Sequence, residues 1–110
     1  MRAMMTLVLM SAAILMPKVV MAQDAAKGEQ VYAAQKCSMC HQVAGKGNKL
    51  SPLDGVGKKL TAEQTREWIV APDAAATKAK STKKPAMPKT YAKLPPADVD
   101  ALVAYLQSLK

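Results

Sequence analysis

The 110-residue chain has few aromatic residues and very few Cys and His residues. It has no Phe, one Trp and three Tyr, and it contains only two Cys and one His. It shows no internal repeat and no strand-like alternation of polar and apolar residues, which disfavours a sheet-based fold. A domain this small and this poor in large apolar residues is expected to complete its core with something besides its own side chains.

Hydrophobic residues make up 50% of the chain, but many of them are concentrated in residues 1–22. This segment starts with the basic Arg2, continues with an apolar run over residues 4–16 and ends in small or modest side chains at Ala22. Such a layout predicts a secretory signal peptide, followed by one domain over residues 23–110. The run is too short for a membrane span, which needs about 20 apolar residues. No stable membrane insertion is therefore expected after cleavage.

The formal net charge of +8 makes an acidic partner, anionic lipid or nucleic acid the natural targets of the surface. Export argues against nucleic acid. So does the rarity of Arg, since Arg66 is the only one after the signal segment, and of aromatic residues near the basic stretches. We therefore expect no nucleic-acid partner.

Three helices joined by long loops are predicted, which makes the fold class all-α. The first covers residues 24–36, where Gly28 costs about 1 kcal/mol relative to Ala and so indicates a close approach. The second starts at a capping box, Thr61 to Gln64, and ends near Ala71 because Pro72 disfavours helical geometry before it.

The third helix starts at Pro95-Pro96, where a missing backbone N–H costs nothing. Its apolar stripe consists of Val99, Leu102, Val103, Leu106 and Leu109. Residues 42–60 and 73–94 are rich in Gly, Pro and polar residues, and they are predicted to be irregular.

Every Cys and His of the chain lies in one pentapeptide, Cys37-Ser38-Met39-Cys40-His41. Cys-x-x-Cys-His is the attachment signature of c-type haem. Two thiols at this spacing add across the two vinyl groups of haem, and the adjacent imidazole reaches the iron from the same side. We predict one covalent haem c attached at Cys37 and Cys40, with His41 as an axial iron ligand.

Three other uses of Cys37 and Cys40 fit the sequence less well. A disulfide between them closes a loop too small to stabilise the fold much. A thioredoxin-like redox pair needs a strand–helix framework that the sequence does not indicate, and a zinc site needs four ligands. A haem-free thiol or binding module stays open as an alternative, and the mass of the denatured chain tests it.

Met87 is the strongest candidate for the second axial iron ligand. After the signal segment the only other Met is Met39, which lies between the attaching cysteines and cannot reach the opposite haem face. The alternative role for Met87 is to fill a gap in the core. His/Met ligation raises the reduction potential and leaves no open iron position for a substrate. The pattern predicts electron transfer, with no catalytic residues and no enzyme activity.

Taken together, these residues resemble a small class I c-type cytochrome of the bacterial monohaem type, over essentially residues 24–110. The motifs that carry the resemblance are Gly28-x-x-x-Tyr32, Cys37 to His41, Ser51-Pro52-Leu53, Ala86-Met87-Pro88 and Leu102-x-x-Tyr105-Leu106. The resemblance implies the cytochrome c fold, in which three main helices and long loops surround one haem and the first and last helices pack together. Tyr32 departs from the family, which often has Phe at this position.

The same resemblance implies roles for three further residues. The carbonyl of Pro52 is expected to accept the second ring N–H of His41 and so to orient the imidazole. Trp68 is expected in the haem pocket, as a wall or as a hydrogen-bond donor to a haem propionate. Arg66 is a weaker propionate candidate, for which a solvated helix face is the commoner outcome.

The sequence therefore predicts a monomeric periplasmic electron carrier that works between two redox partner proteins. Two alternatives remain open: a haem enzyme or gas-binding sensor in which Met87 is displaced, and an electron-transfer subunit of a larger redox complex. By the resemblance, the lysines between Lys78 and Lys93 lie near an exposed haem edge. They form either a docking surface for an acidic redox partner or a solvated loop.

Overall fold

The structure is a computed structural model that describes residues 18–110. Most of the predicted signal segment lies outside this part of the chain, and its cleavage after Ala22 stays a prediction. Within the described part, the α-helices are α1 (Lys18–Ala34), α2 (Val56–Lys59), α3 (Ala62–Val70), α4 (Pro72–Lys78) and α5 (Pro96–Gln107). Short 3-10 helices cover Cys37–Met39 and Lys89–Lys93, and the strands β1 (Gln42–Val43) and β2 (Lys46–Gly47) form an antiparallel pair. The all-α fold class is confirmed.

Helices α1 and α5 pack closely together at Gly28. A Cβ atom on Gly28 would lie 1.9 Å from the carbonyl oxygen of Ala101 and 2.6 Å from the Cβ atom of Tyr105. Only Gly lets the two backbones come this close, so the close approach predicted from its helix-breaking cost is confirmed. The core cluster that includes these two helices consists of Val31, Tyr32, Ile69, Val99, Leu102, Val103 and Leu106.

The predicted capping box begins α3. The Gln64 N–H donates to the Thr61 hydroxyl at 3.1 Å, and the Thr61 N–H donates to the Gln64 side-chain oxygen at 2.9 Å. These two bonds satisfy backbone donors that have no partner inside the helix. α3 then places Ile69, only 2% exposed, in the core cluster.

Residues 73–94 are more regular than the sequence predicts. α4 begins directly at Pro72, and a 3-10 helix covers Lys89–Lys93. Pro72 ends α3 but also occupies the first turn of α4, where its fixed φ suits a helix and its missing N–H is not needed. Ala residues at positions 74–76 favour the helix that follows. Residues 79–88 remain irregular, as predicted.

Residues 42–60 also contain short elements that the sequence does not predict, namely the β1–β2 pair and α2. The N–H of Gly57 donates to the carbonyl of Leu109 at 2.8 Å. The side-chain amide of Gln107 donates to the hydroxyl of the buried Thr65 at 3.0 Å. The end of α5 is thus fastened to α2 and α3, which holds this long segment against the core.

Candidate functional site

The Cys37–His41 segment forms a tight turn directly after α1. Lys36 adopts a left-handed conformation (φ 57°, ψ 37°) that turns the chain away from the helix axis. The carbonyl of Cys37 accepts the N–H groups of Cys40 (3.2 Å) and His41 (2.9 Å). In a 3-10 turn, residues three apart lie on the same side. The backbone therefore presents the two thiols in one direction, with the imidazole next to them.

The His41 ring is oriented by the carbonyl of Ser51, which accepts from Nδ1–H at 3.1 Å. The prediction that the carbonyl of Pro52 accepts this bond is therefore wrong by one residue. The reason is local: the N–H of Gln42 also donates to the Ser51 carbonyl, at 3.2 Å, and fixes it beside the ring. This arrangement occupies Nδ1 and leaves Nε2 available to bind a metal ion.

The charge state of His41 also suits a metal ligand. Burial lowers the pKa of the imidazole, the hydrogen bond to Ser51 opposes this, and the positive charge of Lys83 lowers the pKa further. A lowered pKa keeps the ring neutral at pH 7, and only a neutral imidazole has a lone pair to offer a metal.

β2 supports the turn from outside. Gly47 has φ +105°, and a Cβ atom there would lie 2.2 Å from the carbonyl oxygen of His41. The N–H of Asn48 points at the carbonyls of Ser38 (3.1 Å) and His41 (3.0 Å). The Asn48 side chain donates to the carbonyl of Met39 at 3.1 Å. The carbonyl groups of the turn are thus held by backbone and amide donors from a neighbouring segment.

The two cysteines have different surroundings. Cys37 is half-buried against the core cluster, and burial raises the pKa of its thiol to about 11. Cys40 is exposed, and the two sulfur atoms are not joined in a disulfide. Tyr91 lies near enough for both thiolates to raise the pKa of its phenol, after the effect of burial. Tyr91, in the 3-10 helix after Met87, packs against the same core cluster as Cys37.

Met87 is half-buried and packs against the same core cluster as Cys37. The segment before it is exposed, whereas the segment after it is anchored: Lys89 Nζ lies 2.5 Å from a carboxylate oxygen of Asp73 at the start of α4. Leu94 also packs against the cluster. Met87 is therefore held against the core mainly from its C-terminal side.

Trp68 and Arg66 both lie on α3, and each has different neighbours. Trp68 is half-buried and lines a shallow cavity with Glu67 and Lys78, which form an ion pair at 2.7 Å. Arg66 Nη2 lies 2.5 Å from a carboxylate oxygen of Asp100 on α5. Arg66 thus has the exposed position expected of it, and the pocket role of Trp68 stays a prediction.

Three residues of the site were not predicted from the sequence. Ser51, and not Pro52, provides the carbonyl that accepts from His41. The sequence signal for this was Pro52, because a Pro keeps the residue before it extended. Asn48 follows Gly47 in a stretch that reads only as a polar loop. Tyr91 was the one aromatic residue in a basic, Pro-containing segment, and an isolated aromatic residue there was a usable signal of burial.

A sequence model of one family, described as cytochrome c, matches residues 25–110. The match covers most of the chain, and this protein therefore belongs to the cytochrome c family. Comparisons with curated proteins and with solved structures gave no significant match. Domains of this family bind covalent haem c and generally serve as electron carriers. None of the helices within residues 18–110 has the length and apolar character to cross a bilayer.

The donor groups of this chain fit haem c. The Cys37 and Cys40 thiols are unpaired and lie one 3-10 turn apart, which suits attachment to two neighbouring vinyl groups. His41 has one ring nitrogen free, and the Met87 thioether packs against the same cluster as Cys37. A flat apolar group is also what a core with so few aromatic side chains requires.

Proposed function

We propose that this protein is a small exported electron carrier of the periplasm, with His41 and Met87 as the two axial ligands of its haem iron. The orientation of His41 carries the proposal, because its Nδ1–H is bound to the carbonyl of Ser51 and only Nε2 faces away from that bond. Bound haem supplies an iron atom that changes between the ferric and ferrous states by one electron.

The chain's own residues keep this exchange limited to an electron. Cys37 and Cys40 fix the cofactor covalently, and the Ser51 carbonyl holds the His41 imidazole in one orientation and tautomer. Met87 closes the remaining iron position with a thioether, which leaves no position for a substrate. Apolar residues of α1 and α5 exclude water from this side of the site.

The lysines before Met87 favour an acidic redox partner. Lys78 and Lys89 are already paired with Glu67 and Asp73, respectively. Within residues 18–110 no ion pair is formed by Lys80, Lys83 or Lys84, and all three are exposed. The positive charge of Lys83 acts on the His41 imidazole, so this unpaired charge can also steer an acidic surface toward the site.

Axial ligation is tested with Met87→Ala and a matched control, Met39→Ala. Met39 is 69% exposed and lies between the cysteines. Its replacement therefore removes a thioether without affecting the proposed ligand. The wild type and Met39→Ala are expected to show the weak far-red sulfur-to-iron band in the ferric state. Met87→Ala is expected to lose it, and a wild type without the band would refute the ligation.

Carbon monoxide separates the electron carrier from a haem enzyme or gas sensor. The reduced wild type is expected to be inert to carbon monoxide at neutral pH, because Met87 occupies the position that the gas needs. Met87→Ala is expected to bind it rapidly. Rapid binding by the wild type would favour the enzyme or sensor instead.

The docking role is tested by comparing Lys84→Gln with Lys58→Gln, a control on α2 with a similarly exposed side chain. Electron exchange with an acidic redox protein is expected to slow for Lys84→Gln at low salt, and the difference should fade as salt screens the charge. Equal rates for both variants at low salt would show that the segment is only a solvated loop.

A further inference from the structure

Two large apolar side chains are exposed in and beside the cysteine turn. Among residues 24–110, whose exposure the structure describes, Met39 is 69% and Leu50 is 77% exposed. Every other Val, Leu, Ile, Met, Tyr and Trp in this range is buried or half-buried. Exposed apolar residues that are scattered singly are normal on protein surfaces, whereas apolar residues that lie together on the surface mark interaction sites. The relative position of Met39 and Leu50 therefore decides what they mean.

Asn48 holds these two residues next to each other. Its side-chain Nδ2–H donates to the carbonyl of Met39 at 3.1 Å, and its Oδ1 accepts the N–H of Leu50 at 2.9 Å. The backbone N–H of Asn48 donates in turn to the carbonyls of Ser38 and His41. A single amide group thus separates the backbones of Met39 and Leu50. The two exposed residues are neighbours on a fixed backbone and form a small surface, the Met39–Leu50 patch.

The surroundings of the patch carry only positive charge. Residues 35–53 contain no Asp and no Glu. Lys36, Lys46 and Lys49 belong to this segment and are exposed, and none of them forms an ion pair within residues 18–110. An apolar centre with a charged rim is typical of protein–protein interfaces, and Met is enriched in them. The complementary surface has apolar residues surrounded by carboxylates.

We propose that the Met39–Leu50 patch is the surface that contacts the redox partner during electron transfer, and that this partner has an apolar patch with an acidic rim. This inference rests on the proposed electron-carrier function. Cys40 follows Met39 directly and is exposed, so a partner that covers the patch also covers one of the two points of haem attachment. Electron-transfer complexes have small interfaces, which two apolar side chains with a lysine rim suit.

The patch and the lysines before Met87 are expected to act at different stages of docking. Charge attraction acts over a distance and is screened by salt. The patch acts only when the two surfaces touch and water leaves the apolar groups, which salt does not screen. Loss of an apolar side chain from the patch is therefore expected to weaken the complex at any salt concentration, without slowing the encounter.

The test uses the haem-loaded ferrous protein and an acidic blue-copper protein, whose Cu(II) takes up the electron and becomes Cu(I). The transfer rate is measured against the concentration of the copper protein, at low and at high salt. Leu50→Ser is compared with Ala62→Ser, a control at an exposed position on α3. Leu50→Ser is expected to raise the half-saturating concentration about tenfold at both salt concentrations. Met39→Ala is expected to raise it similarly, whereas Ala62→Ser leaves it unchanged.

Oxidation by hexacyanoferrate(III), a small ion that needs no apolar contact, is expected to be equally fast for the wild type and all three variants. Equal half-saturating concentrations for Leu50→Ser and Ala62→Ser would overturn the proposal. In that case, binding to phosphatidylglycerol vesicles that Leu50→Ser abolishes would assign the patch to a membrane instead. Failure of the proposed function gives a different result, because the wild type itself would then transfer no electron to either oxidant.

Discussion

The sharpest test of the His41 environment is Gly47→Ala, because the structure also supplies its control. Gly47 and Gly45 both have positive φ values, +105° and +79°. An Ala at either position is expected to lower the free energy of unfolding by about 1–2 kcal/mol, because of backbone strain. Around Gly45 nothing lies within 4 Å of an added Cβ atom, whereas at Gly47 that atom would lie 2.2 Å from the His41 carbonyl oxygen.

Relieving the Gly47 contact requires β2 and the His41 carbonyl to move apart until the added Cβ atom lies about 3.0 Å from the carbonyl oxygen. The obstacle is backbone on both sides, so no side-chain rotation removes it. Overpacking of this kind costs about 1–3 kcal/mol, which brings the expected loss for Gly47→Ala to about 2–5 kcal/mol, against about 1–2 kcal/mol for Gly45→Ala.

Guanidinium unfolding of the haem-loaded variants, followed by far-UV circular dichroism, measures this difference. The far-red band of the ferric protein reports in parallel on the iron ligands, and it is expected to shift or weaken in Gly47→Ala alone. Equal destabilisation by the two substitutions, with unchanged spectra, would refute the claim that β2 supports His41.

Three further predictions concern the helices and the loop around the site. Gly28→Ala gains about 1 kcal/mol in helix propensity but places a Cβ atom 1.9 Å from a backbone oxygen of α5. Its unfolding midpoint is therefore expected to fall clearly. An unchanged midpoint would contradict the close contact. Asp73→Asn removes the partner of Lys89 and is expected to let added imidazole replace Met87 faster at low salt, with no difference from wild type at 1 M salt. The folded-state pKa of about 12 for Tyr32 exceeds the unfolded value of about 10. The neutral Tyr32 side chain therefore contributes its full stability below pH 10, and this contribution is lost between pH 10 and 12. Over this range the unfolding midpoint of Tyr32→Phe should fall less than that of the wild type.

Local sequence signals predicted the helices whose causes are local. The capping box at Thr61 and Gln64 needs only residues three apart, and the structure reproduces both of its hydrogen bonds. The stripe on α5 supplies four of the buried core residues, because helical periodicity alone decides which side chains share a face. Gly28 was informative for the opposite reason, since a poor helix former inside a helix signals a contact elsewhere.

The errors arose where one residue serves two neighbours. Pro72 was correctly predicted to end α3, but the same residue begins α4, and only the path of the chain decides whether a helix follows. The acceptor for His41 differs from the prediction by one position because the N–H of Gln42 donates to the Ser51 carbonyl, in a short bridge between Gln42 and Pro52 that no local pattern indicates. The packing of Tyr91 against the core cluster depends on long-range contacts, which the sequence of the loop does not reveal.

The contact between α1 and α5 also determines when the core can form. Gly28 and Ala101 are more than 70 residues apart in the sequence, so this close backbone contact joins two distant parts of the chain. Such pairings must close a long loop before they gain anything, so the contact between α1 and α5 is expected to form late in folding. Before α5 packs on α1, Cys37 and Cys40 are expected to lie in an open chain, in which both thiols are accessible.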